Sequence, residues 1–184
     1  MLRVLIPLAE GFEELEAVTL IDLLRRAAIE VVTAGMVAGP VTASRGTVLV
    51  PDTELAAVAD QSFDMILLPG GLPGADHLDQ DPRVRELLTR HRSMDRYTAA
   101  ICAAPKVLAN AGLLDGRAAT WYPGALDPAA YPSVRHRSDA VVVDGKLVTS
   151  RGPGTAMDFA LTLIELLVGQ DRRSEVENQL QREV

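Results

Sequence analysis

Residues 3–35, RVLIPLAEGFEELEAVTLIDLLRRAAIEVVTAG, read as one strand–helix–strand unit. RVLIPL (3–8) is a short β-rich apolar run, and 11–27 carries apolar residues at helical spacing. Acids crowd the start of that helix and Arg25 and Arg26 close it, which suits the helix dipole. EVVTA (30–34) follows at once as a second strand. The pattern then repeats. TVLV (47–50), DMILLP (64–69), TAAI (98–101), AVVV (140–143) and KLVTS (146–150) are β-rich, and 82–92, 104–111 and 155–168 have helical spacing. MILLP is apolar throughout instead of alternating, as expected of a strand buried on both faces. These runs predict an α/β fold with a mostly parallel sheet covered by helices on both sides. Asp144-Gly145 between two apolar runs predicts a small antiparallel hairpin. The polar tail QDRRSEVENQLQREV has helical propensity, with three fates open to it: solvated, packed on the body, or at a partner surface.

Composition narrows the function classes. At 184 residues the whole chain, 1–184, suits a single domain, and 48% hydrophobic with 23% charged residues suits a globular one. A net charge of −7 argues against an electrostatic nucleic-acid surface. The apolar run at the start is too short to span a membrane and lacks the features of a signal peptide. A lone cysteine forms no internal disulfide, so a cytoplasmic location is expected. No Cys/His set stands at zinc spacing and no GxGxxG fingerprint occurs, so neither a metal nor an organic cofactor is expected.

Open α/β sheets bind ligands beyond the carboxyl ends of their strands, and three such ends stand out. In LLPGGLPGA, Gly70 and Gly71 permit close backbone approach and present amides, although a plain turn accounts for them equally well. TSRGPGT (149–155) reads as a tight strand-to-helix connection with Thr155 as N-cap. The third end, AAICAAPKVL, surrounds Cys102 with alanines and places Pro105 in the first turn of a helix, the arrangement of a nucleophile elbow. Most lone cysteines are packing residues. A thiol at a strand end, near amides and a helix head, is instead expected to have a lowered pKa and to be the site of mild oxidation.

A base or acid must serve such a thiol. His91 ends an exposed-looking helix and His136 lies in the polar run RHRSD, so both are expected in solvent. His77, past the glycine loop, is the histidine placed nearest the site, with a surface role favoured. Glu10, Glu13, Glu14 and Glu16 cluster at the same edge, and helical spacing does not say which points inward.

GFEELEAVTLIDLLRRA, LLPGGLPGA, AAICAAPKVL and TSRGPGTAMDFAL, in this order and covering nearly the whole chain, resemble the ThiJ/PfpI superfamily, in the branch of the human parkinsonism-associated protein and bacterial YajL. The resemblance implies a flavodoxin-like fold, a homodimer, a nucleophilic Cys102 and a partner glutamate from the first helix, which the motif position makes Glu16. It further implies that Gly70 and Gly71 lie beside the sulfur, with Ala103 and Tyr122 completing an oxyanion or substrate site. Ser44 and Arg45 would lie near a dimer interface formed by residues 15–30 and 44–50. Two positions depart from relatives. Ala103 stands where the protease-like branch has histidine, which removes a peptidase base, and Tyr122 stands where the human-type proteins have histidine.

The chemistry implied is cofactor-free. Cys102 would attack a reactive dicarbonyl such as methylglyoxal, with Glu16, kept protonated by burial, moving the proton on the way to lactate, or would act on early glycation adducts of amines or thiols. The other class of reading is a redox-responsive stress protein or chaperone whose cysteine is oxidised to sulfinate.

Overall fold

The computed structural model describes residues 1–182. The chain runs β1 (Arg3–Leu8), α1 (Glu14–Arg26), β2 (Glu30–Gly35), β3 (Val41–Thr42), β4 (Val48–Leu49), β5 (Thr53–Glu54), α2 (Leu55–Val58), β6 (Met65–Leu68), α3 (Gly74–Gln80) and α4 (Pro82–Ser93). It continues with β7 (Tyr97–Ile101), α5 (Pro105–Asn110), β8 (Ala118–Ala119), β9 (Arg135–His136), β10 (Val141–Asp144), β11 (Leu147–Ser150), α6 (Ala156–Val168) and α7 (Gln170–Gln179).

Seven strands form the central sheet in the order β10-β11-β7-β6-β1-β2-β5. All neighbours pair in parallel except β10 and β11, whose antiparallel hairpin turns at Gly145, φ 63°. The fold is therefore the flavodoxin-like, mostly parallel α/β arrangement with a small antiparallel hairpin. Side-chain alternation splits the core in two. Val4, Ile6 and Leu8 of β1 pack with Leu20 and Leu24 of α1, Phe159 of α6 and Val176 of α7. Leu5 of the same strand packs with Leu78, Leu87 and Leu108 from α3, α4 and α5 on the opposite face. Strands β1, β6 and β7 thus bury residues on both sides, which is why their sequences are nearly continuous in apolar character.

Several details differ from the sequence expectation. TVLV supplies only β4, which pairs with β3 in a separate two-stranded sheet, because the segment lies outside the central sheet and its Val48 and Val50 face solvent. Helix α1 begins at Glu14, later than residue 11, since Glu10–Glu13 form the loop that closes over the sheet edge. Of the tail's three fates, α7 takes the second: it packs on α6 and buries Val176. Thr155 stands at the head of α6, but its hydroxyl bonds Gly152 and Ser150 instead of capping the helix. No helix among the described residues is long and apolar enough to cross a membrane.

The chain leaves β1 on one side for β2 and β5, then crosses to the other side for β6 and β7. That reversal makes a crevice at the carboxyl ends of β1, β6 and β7. The loops after these three strands carry Glu13, Gly70-Gly71 and Cys102.

Candidate active site

Cys102 immediately follows β7 and has φ 64°, in the left-handed region. For a residue other than glycine this conformation costs about 1–3 kcal/mol, so the surroundings must hold it. They do so from both sides. Its N–H donates to the Ser150 carbonyl at 2.9 Å, and its own carbonyl accepts the Tyr122 N–H at 2.9 Å. Ala103 and Ala104 are buried, leaving room for the sharp turn, and Pro105 opens α5. The thiol is enclosed, with Cys102 only 8% exposed.

Glu16 comes up beneath it from the first turn of α1 and is 0% exposed. Its Oε2 accepts the Gly70 N–H at 2.8 Å. The carboxyl stands against the Cys102 side chain, and Oε1 has no hydrogen-bonding partner among the described residues. Gly70 is required by space: a Cβ there would stand 2.6 Å from Cys102 Cβ and 2.8 Å from Glu16 Oε2. Gly71 has φ 89°, and a Cβ there would meet the Glu13 nitrogen at 2.4 Å. The Glu13 N–H donates to the Gly70 carbonyl at 2.9 Å, locking the glycine loop to the head of α1.

Burial dominates the electrostatics. Desolvation pushes the Glu16 carboxyl up to about 7, against the Gly70 amide and the thiol, with the nearby Glu13 charge adding to the rise. The expected lowering of the Cys102 pKa is not found. Desolvation first, then the charge of Glu16, push the thiol up to about 12, while the Gly71 and Ala103 amides oppose them without prevailing. The helix dipole gives little help, because α5 has six residues and begins three residues beyond the sulfur. Near neutrality Glu16 is therefore close to half protonated, not kept fully neutral as expected, and what negative charge the pair carries is on the carboxyl and not on the thiol. A second ionisation would put two anions in one enclosed site.

The remaining candidates fall into two groups. Gly70, Gly71, Ala103 and Tyr122 surround Cys102. The Tyr122 backbone is tied to it, and the half-exposed Tyr122 ring lies against Gly152. Ser44 and Arg45 lie apart, on the outer side of the α1 head: the Ser44 hydroxyl donates to Glu13 at 2.8 Å, and the Arg45 N–H to Glu14 at 3.1 Å. Desolvation, the largest single influence on Glu14, raises its carboxyl, but the backbone amides of Glu14, Arg45 and Thr47 together outweigh it and hold the group below the usual carboxylate range.

The histidines are not at the thiol. His77 is exposed and its Nδ1 lies 2.9 Å from the Glu10 carbonyl. His136 stacks on Trp121. His91, expected in solvent, is instead buried at 2% exposure, because it falls on the inward stripe of α4 with Val84, Leu87 and Leu88. Sequence reasoning missed the Ser150 carbonyl as a clamp on the elbow and the Glu13–Ser44 contact. No sequence signal marked the first, because the clamp depends on the parallel register that pairs Ser150 with Ile101.

An enclosed Cys–Glu pair on a left-handed elbow, at the switch point of a mostly parallel sheet, defines the class. Residues 2–166 match the DJ-1/PfpI family, and the chain belongs to it. The crystal structure of Drosophila melanogaster DJ-1beta superposes with a TM-score of 0.95 at 42% identity, covering 100% of this chain and 99% of that one. A Toxoplasma gondii DJ-1 structure described as oxidized matches with a TM-score of 0.93 at 38% identity, covering both chains in full. A Caenorhabditis elegans protein named as the glutathione-independent glyoxalase DJR-1.2 is 36% identical over 163 residues, 89% of this chain and 87% of that one.

Proposed function

We propose that the protein is a cofactor-independent enzyme that converts small 2-oxoaldehydes, methylglyoxal being the simplest test case, into 2-hydroxy acids. The observation that carries this reading is the fully buried Glu16 carboxyl, raised to about 7, against the single thiol of the chain. In the ionised fraction of the pair the charge sits on Glu16. Transfer of the Cys102 proton to that carboxylate gives thiolate and neutral acid with no change in net charge, so no histidine base is needed. The sulfur adds to the aldehyde carbon, forming the C–S bond, and the carbonyl oxygen takes the proton back from Glu16 to give a hemithioacetal. The Gly71 and Ala103 amides, which face the thiol, are the donors available to the developing oxyanion. Glu16 then removes the proton from C1 and returns it to C2 through an enediol, leaving an S-acyl enzyme. Water cleaves the thioester to lactate and regenerates the thiol, so methylglyoxal plus water equals lactate. The named glyoxalase among the relatives supports this assignment. Early glycation adducts on amines or thiols, which release the same aldehyde, form the second substrate class.

Lactate formation by wild type beside Cys102→Ala tests the reading. Turnover by wild type and none by the variant is expected; a variant as fast as wild type overturns it.

A redox role is the second reading, favoured by the unfilled hydrogen-bonding capacity of Glu16 Oε1 and by the relative described as oxidized. Here the thiolate and two molecules of peroxide give sulfinate and two of water, with Glu16 donating to the new oxygens. Mass analysis after limited peroxide would show two added oxygens on Cys102, and an unmodified Cys102 beside oxidised methionines would refute it. Either reading is proposed for a homodimer. Leu15 and Val18 on α1 and Val48 and Val50 beside it leave large apolar side chains exposed on the face predicted to pair. A monomer mass at micromolar concentration would contradict that assembly.

A further inference from the structure

The other end of β7 holds a different kind of space. A cavity of about 540 Å³ opens at the amino end of β7 and the tip of the β10–β11 hairpin. Arg92, Arg96, Arg117 and Lys146 line it, against the two carboxylates of Asp95 and Asp144. This is a local excess of positive charge in a chain whose net charge is −7.

The carboxylate of Asp144 is already engaged. It accepts the Ala118 N–H at 2.8 Å, pairs with Arg117 at 3.1 Å, and meets Arg135 at 3.3 Å. Arg96 is paired with Asp64. Among the described residues, the lining cations Arg92 and Lys146 pair with no carboxylate, and Asp95 is the one lining carboxylate without a cation partner. With Arg135 beside Asp144 and Asp64 beside Arg96, the cluster holds five cations against three carboxylates. Lys146 lies 4.0 Å from the Tyr97 ring centre, and Arg92 donates to the Gly112 carbonyl at 2.7 Å, neither with a carboxylate. Cations gathered around one recess repel each other unless an anion enters it. Guanidinium groups match phosphate oxygens in pairs, and an ammonium adds a point charge. Leu113 and Leu147 supply an apolar wall. The volume lies within the range of roughly 300–1,000 Å³ typical of small-molecule sites.

We infer that this cavity binds a small phosphorylated organic molecule carrying at least two negative charges. The site is separate from the thiol. Thr98 lines the cavity and Cys102 lies four residues further along, roughly 13 Å at strand rise. The assignment therefore stands independently of the reaction proposed above.

Titration calorimetry at fixed ionic strength, with sodium pyrophosphate and with phenyl phosphate as probes, tests it. Saturable one-site binding is expected for both. The Arg92→Ala/Lys146→Ala double variant should bind at least tenfold more weakly. Arg85→Ala, an exposed cation elsewhere on α4, and Cys102→Ala should bind as wild type does. Amide shift mapping on wild type, which depends on no variant, should place the perturbed residues at 92–98 and 144–147. Absence of saturable binding at millimolar probe, undiminished binding by a folded double variant, or shifts confined to other segments would each overturn the inference.

Discussion

Glu16 and His91 are both titratable side chains buried on the inward stripes of their helices, yet only one stands in a site. Around Glu16 three loops converge, bringing the Gly70 amide, the Cys102 thiol and the Glu13 charge within reach. Neither ring nitrogen of His91 has a hydrogen-bonding partner, and desolvation pushes it down to about 4, with Arg90 and Arg96 adding repulsion. Burial perturbs both groups by similar amounts in opposite directions of protonation, each toward its neutral form. Perturbation alone therefore does not mark chemistry. What separates the two is that Glu16 faces a nucleophile at the crevice where the sheet reverses direction.

The most severe way to break this contrast is Glu16→Gln. The amide keeps the shape and a donor but cannot accept the Cys102 proton, so dicarbonyl turnover should fall by about 10²–10⁴-fold. Glu16→Asp retains acidity on a shorter arm and should fall between the two. A Glu16→Gln enzyme as fast as wild type would remove Glu16 from the mechanism. Gly70→Ala comes next. Its Cβ cannot fit between Cys102 Cβ and Glu16 Oε2. The overpacking should cost about 1–3 kcal/mol of stability, and the displaced pair about 10²-fold in kcat. Normal kinetics and melting in that variant would show that the pair tolerates displacement. Glu13→Gln sharpens the electrostatics more gently. Removing the Glu13 charge lowers the Glu16 pKa, so the acidic limb of the kcat/KM profile, expected near pH 7, should move to lower pH with little change in the plateau. An unmoved limb would separate Glu13 from the pair.

Much of this was readable from the sequence for physical reasons that can be named. Strands β1, β6 and β7 bury both faces and so wrote uninterrupted apolar runs, and the Asp144-Gly145 turn demanded a positive φ that only a few residues accept cheaply. The elbow was legible because alanines and a proline around a lone cysteine have few other uses. The identity of the acid was not. Glu10, Glu13, Glu14 and Glu16 share one short stretch, and only the family motif singled out Glu16. The pKa of Cys102 was misjudged because the sequence displayed the amides and the helix but not the enclosure, and desolvation outweighs both. His91 was misplaced because the charged residues around it, Arg90 and Arg92, masked its position on the same stripe as Val84, Leu87 and Leu88. Two-residue strands such as β8 and β9 carry no period long enough to detect.

The pH dependence of stability is small in wild type and becomes visible only when the two buried groups are separated. Glu16 has a folded-state pKa raised from 4.5 to about 7, so the stability it adds is fully present below pH 4.5 and is lost as pH rises through 7. His91 is lowered from 6.5 to about 4, so its contribution is present above pH 6.5 and is lost as pH falls toward 4. Each shift corresponds to roughly 3 kcal/mol, and between pH 4.5 and 6.5 their slopes have opposite sign. Wild-type stability should therefore vary little across that window. His91→Phe removes one slope, so its stability should fall with rising pH, whereas Glu16→Gln removes the other and its stability should rise. Denaturant midpoints for the three proteins at half-unit pH steps give the answer. If both variants run parallel to wild type, the two groups titrate alike in the folded and unfolded chain, and the burial that defines the Glu16–Cys102 pair has been misread.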